Sequence, residues 1–296
     1  MTRIDAHHHL WRLRPGAPGG PGPGRRAHEW LAGPGSAAIR RDFTLDDLSP
    51  VASAAGIDRT VLVQVLPEVA ETAEFLSLAD GSDGLVAGVV GWVDLTDDGV
   101  GDALAALRAG PGGDLLVGVR HLVQGEADPR WLARPDVRRG LRAVAGAGLV
   151  YDLLVLVHQL PAAIEVVRAL PGATFVLDHL AKPPIAAGGR EPWESRIREL
   201  AAEPNVACKL SGMVTEADHA GWTAADLRPY ADVVLDAFGP SRVMFGSDWP
   251  VCLLAGSYRE VVAAAEELTA GLTAAERDEV FGGTAARVYR LPGQRR

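Results

Sequence analysis

The feature that most limits what this chain can become is an alternation of short apolar runs with longer helical segments, repeated eight times. Strand-like runs lie at 3–7, 60–66, 85–93, 115–122, 149–157, 174–178, 206–210 and 242–245. Helical segments lie at 45–55, 68–79, 99–109, 135–147, 161–170, 192–202, 224–238 and 258–270, followed by a C-terminal helical pair over 274–289. The strand runs are continuous stretches of Val, Leu and Gly rather than polar and apolar residues in turn, as expected for strands covered on both faces. Eight strand-then-helix units predict an α/β chain closed into a (β/α)8 TIM-type barrel, one domain spanning residues 1–296.

Length and composition agree with that reading. A barrel of this kind commonly takes about 250 residues, and 296 leaves room for one long loop. The balance of 48% hydrophobic and 23% charged residues is that of a globular protein. No apolar run approaches the ~20 residues that span a bilayer, and acids and histidines stand where a signal peptide would be apolar. A cytoplasmic protein with no membrane partner is expected. A net charge of −9 without a Lys/Arg cluster argues against nucleic acid and leaves a small molecule as the expected partner. Cys208 and Cys252 form neither a CxxC pair nor a disulfide framework. The Pro- and Gly-rich stretch 15–26 has no core-forming pattern, so residues 15–41 are read as a loop over the barrel mouth. Its Trp30 is then either an apolar wall or a merely exposed aromatic.

In such a barrel the chemistry belongs at the carboxyl ends of the strands, and the polar residues collect there. Strand one runs into His7-His8-His9; on an extended chain His7 and His9 project to one side and His8 to the other. Two imidazoles aimed into one space suit a divalent cation or the polarisation of a carbonyl. Strand two carries Gln64, strand three ends at Trp92 and Asp94, and strand four ends in Arg120-His121. Strand five runs from Tyr151-Asp152 toward His158, strand six ends in Asp178-His179 and Lys182, and strand seven in Lys209 and Ser211. Strand eight ends in Ser247-Asp248-Trp249-Pro250.

Asp248, held between a flexible and a rigid pair, is placed to bind a cation or to act as general base toward water, with a helix N-cap as the alternative. His179 is a candidate ligand, carbonyl-polarising donor or proton shuttle. Arg120 offers a planar fork to a carboxylate or vicinal hydroxyls, or else forms a structural ion pair. His158 is a candidate ligand or a cap. Lys182 and Lys209 are the only lysines beside 27 arginines, and each ends a strand where a compact ammonium is of use.

The order and spacing of Asp5-Ala6-His7-His8-His9-Leu10-Trp11, Gly91-Trp92-Val93-Asp94, Gly118-Val119-Arg120-His121, Tyr151-Asp152-Leu153-Leu154 with His158-Gln159-Leu160-Pro161, Asp178-His179-Leu180-Ala181-Lys182-Pro183, Lys209-Leu210-Ser211-Gly212 and Phe245-Gly246-Ser247-Asp248-Trp249-Pro250 resemble the amidohydrolase superfamily. More narrowly, they resemble its sugar-lactonase branch, which includes L-fuconolactonase, L-rhamnono-lactonase and 2-pyrone-4,6-dicarboxylate lactonase. The resemblance covers nearly the whole chain and implies a distorted barrel that hydrolyses a cyclic ester. It maps the superfamily's metal ligands onto His7, His9, His158, His179 and Asp248. The bridging lysine of two-metal members has no counterpart between Leu115 and Leu122, so one divalent metal, with zinc first, or none is expected.

The expected chemistry is attack on a lactone carbonyl by water that Asp248 deprotonates. His7, His9 or a metal they hold, assisted by His179, would stabilise the oxyanion. His179, His121 or a bound water would protonate the leaving oxygen. Gln64, Trp92, Arg120, Lys182, Lys209 and Trp249 would hold the substrate. The alternatives are a metal-dependent decarboxylase or amide hydrolase of the same superfamily, and a catalytically silent binding barrel. A monomer and a homodimer both stay open.

Overall fold

A computed structural model describes residues 2–13 and 28–292. Eight parallel strands form one sheet in sequence order: β1 (Ile4–His8), β2 (Arg59–Val63), β3 (Val86–Gly91), β4 (Leu116–His121), β5 (Val150–Leu153), β6 (Thr174–Leu177), β7 (Val206–Leu210) and β8 (Val243–Phe245). Each is followed by a helix, at Leu45–Ala54, Val69–Asp80, Val100–Ala109, Pro135–Gly146, Leu160–Ala169, Trp193–Ala201, Ala224–Phe238 and Tyr258–Leu268. The sheet closes between its two ends, where His9 N donates to Trp249 O at 2.6 Å and Asp248 N to His7 O at 2.8 Å. The expected (β/α)8 barrel is therefore present, and its seam falls on the residues that carry the candidate chemistry.

Two apolar regions hold it together. The larger lies between strands and helices. The smaller fills the lower barrel with Ile4, Val61, Val90, Val150, Val176 and Ala207, closed below by Tyr289 from the C-terminal segment. Two residues further along three of these strands, on the same face, stand Asp152, Asp178 and Lys209. An apolar layer thus supports a charged one, and the charged layer lies directly beneath the mouth.

Strand five is shorter than the sequence suggested. It ends at Leu153, and Val157–Gln159 forms a short 3-10 turn. The cause is the buried Gln159, whose Oε1 accepts from Leu156 N at 2.9 Å while its Nε2 donates to Val123 O at 2.7 Å. This tie turns His158 outward. Of the expected mouth loop, residues 14–27 lie outside the described residues. The remainder folds into two 3-10 turns, Glu29–Leu31 and Pro34–Ile39. Among the described residues no helix is long and apolar enough to cross a membrane.

Candidate active site

His7 and His9 share a side, as period-two geometry requires, with their Nε2 atoms 3.1 Å apart. A bulge between Asp5 and His8 shapes this end of β1. The buried Asp5 carboxylate organises it by accepting from His7 N, Ser247 N, Ser247 Oγ and Tyr258 OH, and so ties β1 to the chain leaving β8. His8 turns to the opposite face, where burial lowers its pKa to about 3.

Asp248 stands in the left-handed region at φ 56°. Its Oδ1 lies 3.5 Å from His9 Nε2, 3.7 Å from His7 Nε2 and 3.8 Å from His179 Nε2. His179 arrives by a more strained route. Four consecutive non-glycine residues, His179 to Lys182, have φ between 51° and 58°, a conformation costing roughly 1–2 kcal/mol per residue. Such a turn persists only where its surroundings determine it. Here Trp193 Nε1 donates to Leu180 O at 2.6 Å, and Lys182 N to His179 O at 2.7 Å. Gly212 passes so close that a Cβ would sit 2.6 Å from His179 Nδ1. The strain brings His179 and Lys182 to the same cavity.

The protonation states follow from burial. Desolvation lowers the pKa of His7, His9 and His179, the last to about 4, so all three imidazoles are neutral near pH 7. Burial would raise Asp248, but His179, His9 and His7 outweigh it and hold the carboxyl well below its ordinary range. His9 Nδ1 lies 2.8 Å from the Val63 carbonyl, an acceptor only, so Nδ1 carries the proton and Nε2 presents a lone pair.

Beneath them, Lys209 is sealed in the barrel. Its Nζ lies 2.6 Å from Asp152, 3.0 Å from Asp178 and 3.1 Å from His7 Nδ1. Asp178 also meets Arg120 at 3.0 Å and His7 Nδ1 at 3.4 Å. Burial would raise Asp178, but Lys209, His7 and Arg120 hold it down.

These groups fit a divalent cation. His7, His179 and Asp248 each offer a ligand atom within 4.8 Å of the others, all buried, with the His9 lone pair alongside. The other ring nitrogen of each histidine has the kind of outer partner that orients metal-bound imidazoles. These partners are Asp178 for His7, the Val63 carbonyl for His9, and Ser211 Oγ at 2.8 Å for His179.

The cavity above is about 350 Å³, walled by His9, Arg120, His179, Lys182, Asp248 and Trp30 among others. Several expected site residues lie elsewhere. His158 is exposed and outside the cluster. His121 has both nitrogens engaged: Nδ1 accepts from Trp92 Nε1 at 3.0 Å and Nε2 meets Glu126 at 2.8 Å, with the ring stacked on Trp131. Trp92 is spent on that contact. Gln64 Oε1 accepts from Arg120 Nε at 3.0 Å and Nη2 at 2.9 Å, so it holds Arg120 rather than a ligand. Trp249 is buried edge-on against Phe43, 5.2 Å between ring centres. Lys209 is fully buried and does not line the cavity. Asp5, Asp152 and Asp178 had no assigned role in the sequence reading. The signal for the last two was their strand periodicity, which put them on the inward face with the lone buried lysine.

Residues 4–291, nearly the whole barrel, match the family described as amidohydrolase. The chain belongs to that family. This amidohydrolase is 42% identical over 301 residues to L-fucono-1,5-lactonase of Burkholderia multivorans, with 98% of this chain and 96% of the relative covered. It is 38% identical over 294 residues to L-fucono-1,5-lactonase of Burkholderia ambifaria, with the same coverage of 98% and 96%. The crystal structure of a Burkholderia multivorans amidohydrolase with bound zinc superimposes with a TM-score of 0.89 at 41% identity, covering 99% of this chain and 100% of the other.

Proposed function

We propose that this amidohydrolase opens the ring of a sugar lactone by adding water to its carbonyl, with L-fucono-1,5-lactone the first substrate to test. The observation that carries the reading is the convergence of His9, His179 and Asp248 on one cavity of about 350 Å³, large enough for a single sugar ring, with the buried His7 3.7 Å from Asp248. Full-length likeness to two lactonases supplies the substrate class.

His7, His179 and Asp248 would hold a divalent cation, zinc first, with His9 beside them. When bound, the cation supplies the positive charge that polarises the carbonyl and acidifies water. The protein's own part is then specific. Asp248, ionised near pH 7, takes the proton of the attacking water and returns it to the ring oxygen as the acyl C–O bond breaks. His9 orients water through its Nε2 lone pair. Gln64 and Asp178 fix Arg120 at the cavity wall, and Lys182 has donor capacity beyond its 3.2 Å contact with Glu216 for a substrate hydroxyl. No part in this chemistry is given to His121 or His158.

A pH-indicator screen of aldonolactones, with and without chelator, tests the reading. Acid release from at least one sugar lactone is expected. Carbon dioxide release from an aromatic acid, with no lactone turned over, would favour the decarboxylase alternative.

A further inference from the structure

Resting on the lactone reading, we propose that Trp30 is the platform against which the lactone's C–H face packs, and so a determinant of substrate affinity. The cavity is lined by both kinds of side chain: His9, Arg120, His179, Lys182 and Asp248 are polar, and Val65, Leu122, Leu154 and Val251 are apolar. Trp30 lines the same cavity and is 44% exposed.

An indole left in water at a cavity rim forgoes burial that the core could have given it. The chain nonetheless holds this one firmly. Arg40 donates to the carbonyls of Leu31 at 2.7 Å and Ala32 at 3.2 Å, and also to that of Gly33, clamping the end of the turn that carries Trp30. Leu31 anchors the turn in the core. Trp11 stands edge-on to Trp30, with ring centres 5.4 Å apart at 87°, and is itself fixed by Nε1 donating to Arg41 O at 2.8 Å. The result is a braced aromatic surface at the same cavity as the polar cluster.

A sugar lactone has the matching character, with hydroxyls around its rim and C–H bonds across its face. Arg120 cannot grip those hydroxyls, because Gln64, Asp178 and His7 already surround its guanidinium. Among the residues lining the cavity, Trp30 offers the broad apolar face against which those C–H bonds can pack. Such packing holds ground state and transition state alike, and its loss should appear in KM with kcat preserved.

The test is steady-state kinetics of the intact enzyme on L-fucono-1,5-lactone, comparing wild type with Trp30→Ala, Trp30→Phe and Arg40→Ala. An aromatic contact of this size corresponds to a KM increase of about fivefold to tenfold for Trp30→Ala. A smaller rise is expected for Trp30→Phe. Arg40→Ala, which keeps the indole but frees its turn, should also raise KM, and kcat should stay within about twofold throughout. A Trp30→Ala KM within twofold of wild type, or a loss confined to kcat, would overturn the role of Trp30 while leaving the lactonase reading intact. Failure of the wild-type enzyme to open the lactone would overturn both.

Discussion

Asp248 and His9, drawn from opposite ends of the chain, meet with Oδ1 and Nε2 3.5 Å apart. Nothing local in either segment requires this. It follows from barrel closure, since the backbone bonds His9 N to Trp249 O and Asp248 N to His7 O are both the seam of the sheet and the frame of the site. The fold and the candidate site are therefore set by the same few hydrogen bonds, with Asp5 tying the two segments together.

Removing metal should abolish most turnover. A Lewis-acidic cation is worth several kcal/mol of transition-state stabilisation, so dialysis against a chelator should lower kcat/KM by more than about a hundredfold. Added zinc should restore it at one equivalent per chain. Unchanged activity in protein shown to be metal-free by elemental analysis would contradict the ligand assignment.

Lys209→Met leaves Asp152 and Asp178 buried without their shared ammonium. Breaking a buried ion pair by removing one partner costs about 3–5 kcal/mol, a fall in Tm of roughly 5–10 °C by calorimetry. Asp152→Asn in the same background should recover part of the loss, because Tyr289 OH can still donate to the side-chain oxygen. A Tm equal to wild type in Lys209→Met would show that the network does not stabilise the barrel.

Gln64 separates holding a ligand from holding Arg120. Gln64→Leu removes the acceptor for Arg120 Nε and should lower kcat/KM by about tenfold or more, because a guanidinium freed from Gln64 no longer holds its place against His7 and Asp178. Gln64→Glu, which keeps an acceptor, should stay near wild type. Equal damage by both substitutions would point instead to direct contact with substrate.

His158→Ala should be nearly silent. The residue is exposed, and substitutions at such positions usually fall within about 0.5 kcal/mol. Zinc content and kcat/KM should both match wild type. Loss of the metal would restore His158 to the ligand set.

The barrel was readable from sequence because its signal is repeated eight times, and small boundary errors at β5 or β8 do not disturb a pattern of that length. His7, His9 and Asp248 were readable because strand periodicity and the strand-end rule place side chains without knowledge of packing. Side chains whose roles depend on neighbours were less accessible. His121, Trp92 and Gln64 occupy the right ends of the right strands, yet they satisfy one another, Glu126 or Arg120 instead of facing the cavity. His158 lies one residue from the inward position, because the sequence does not reveal that Gln159 would claim it. The left-handed turn from His179 to Lys182 contains no glycine to announce it.

Asp248→Asn keeps the shape of the side chain and removes its basicity, so lactone opening by this variant, followed by pH-stat against wild type, is the decisive comparison. A fall in kcat of about a hundredfold to ten-thousandfold, with Tm little changed, is the predicted result. Turnover at the wild-type rate by a folded Asp248→Asn protein would contradict the assignment of Asp248 as the base.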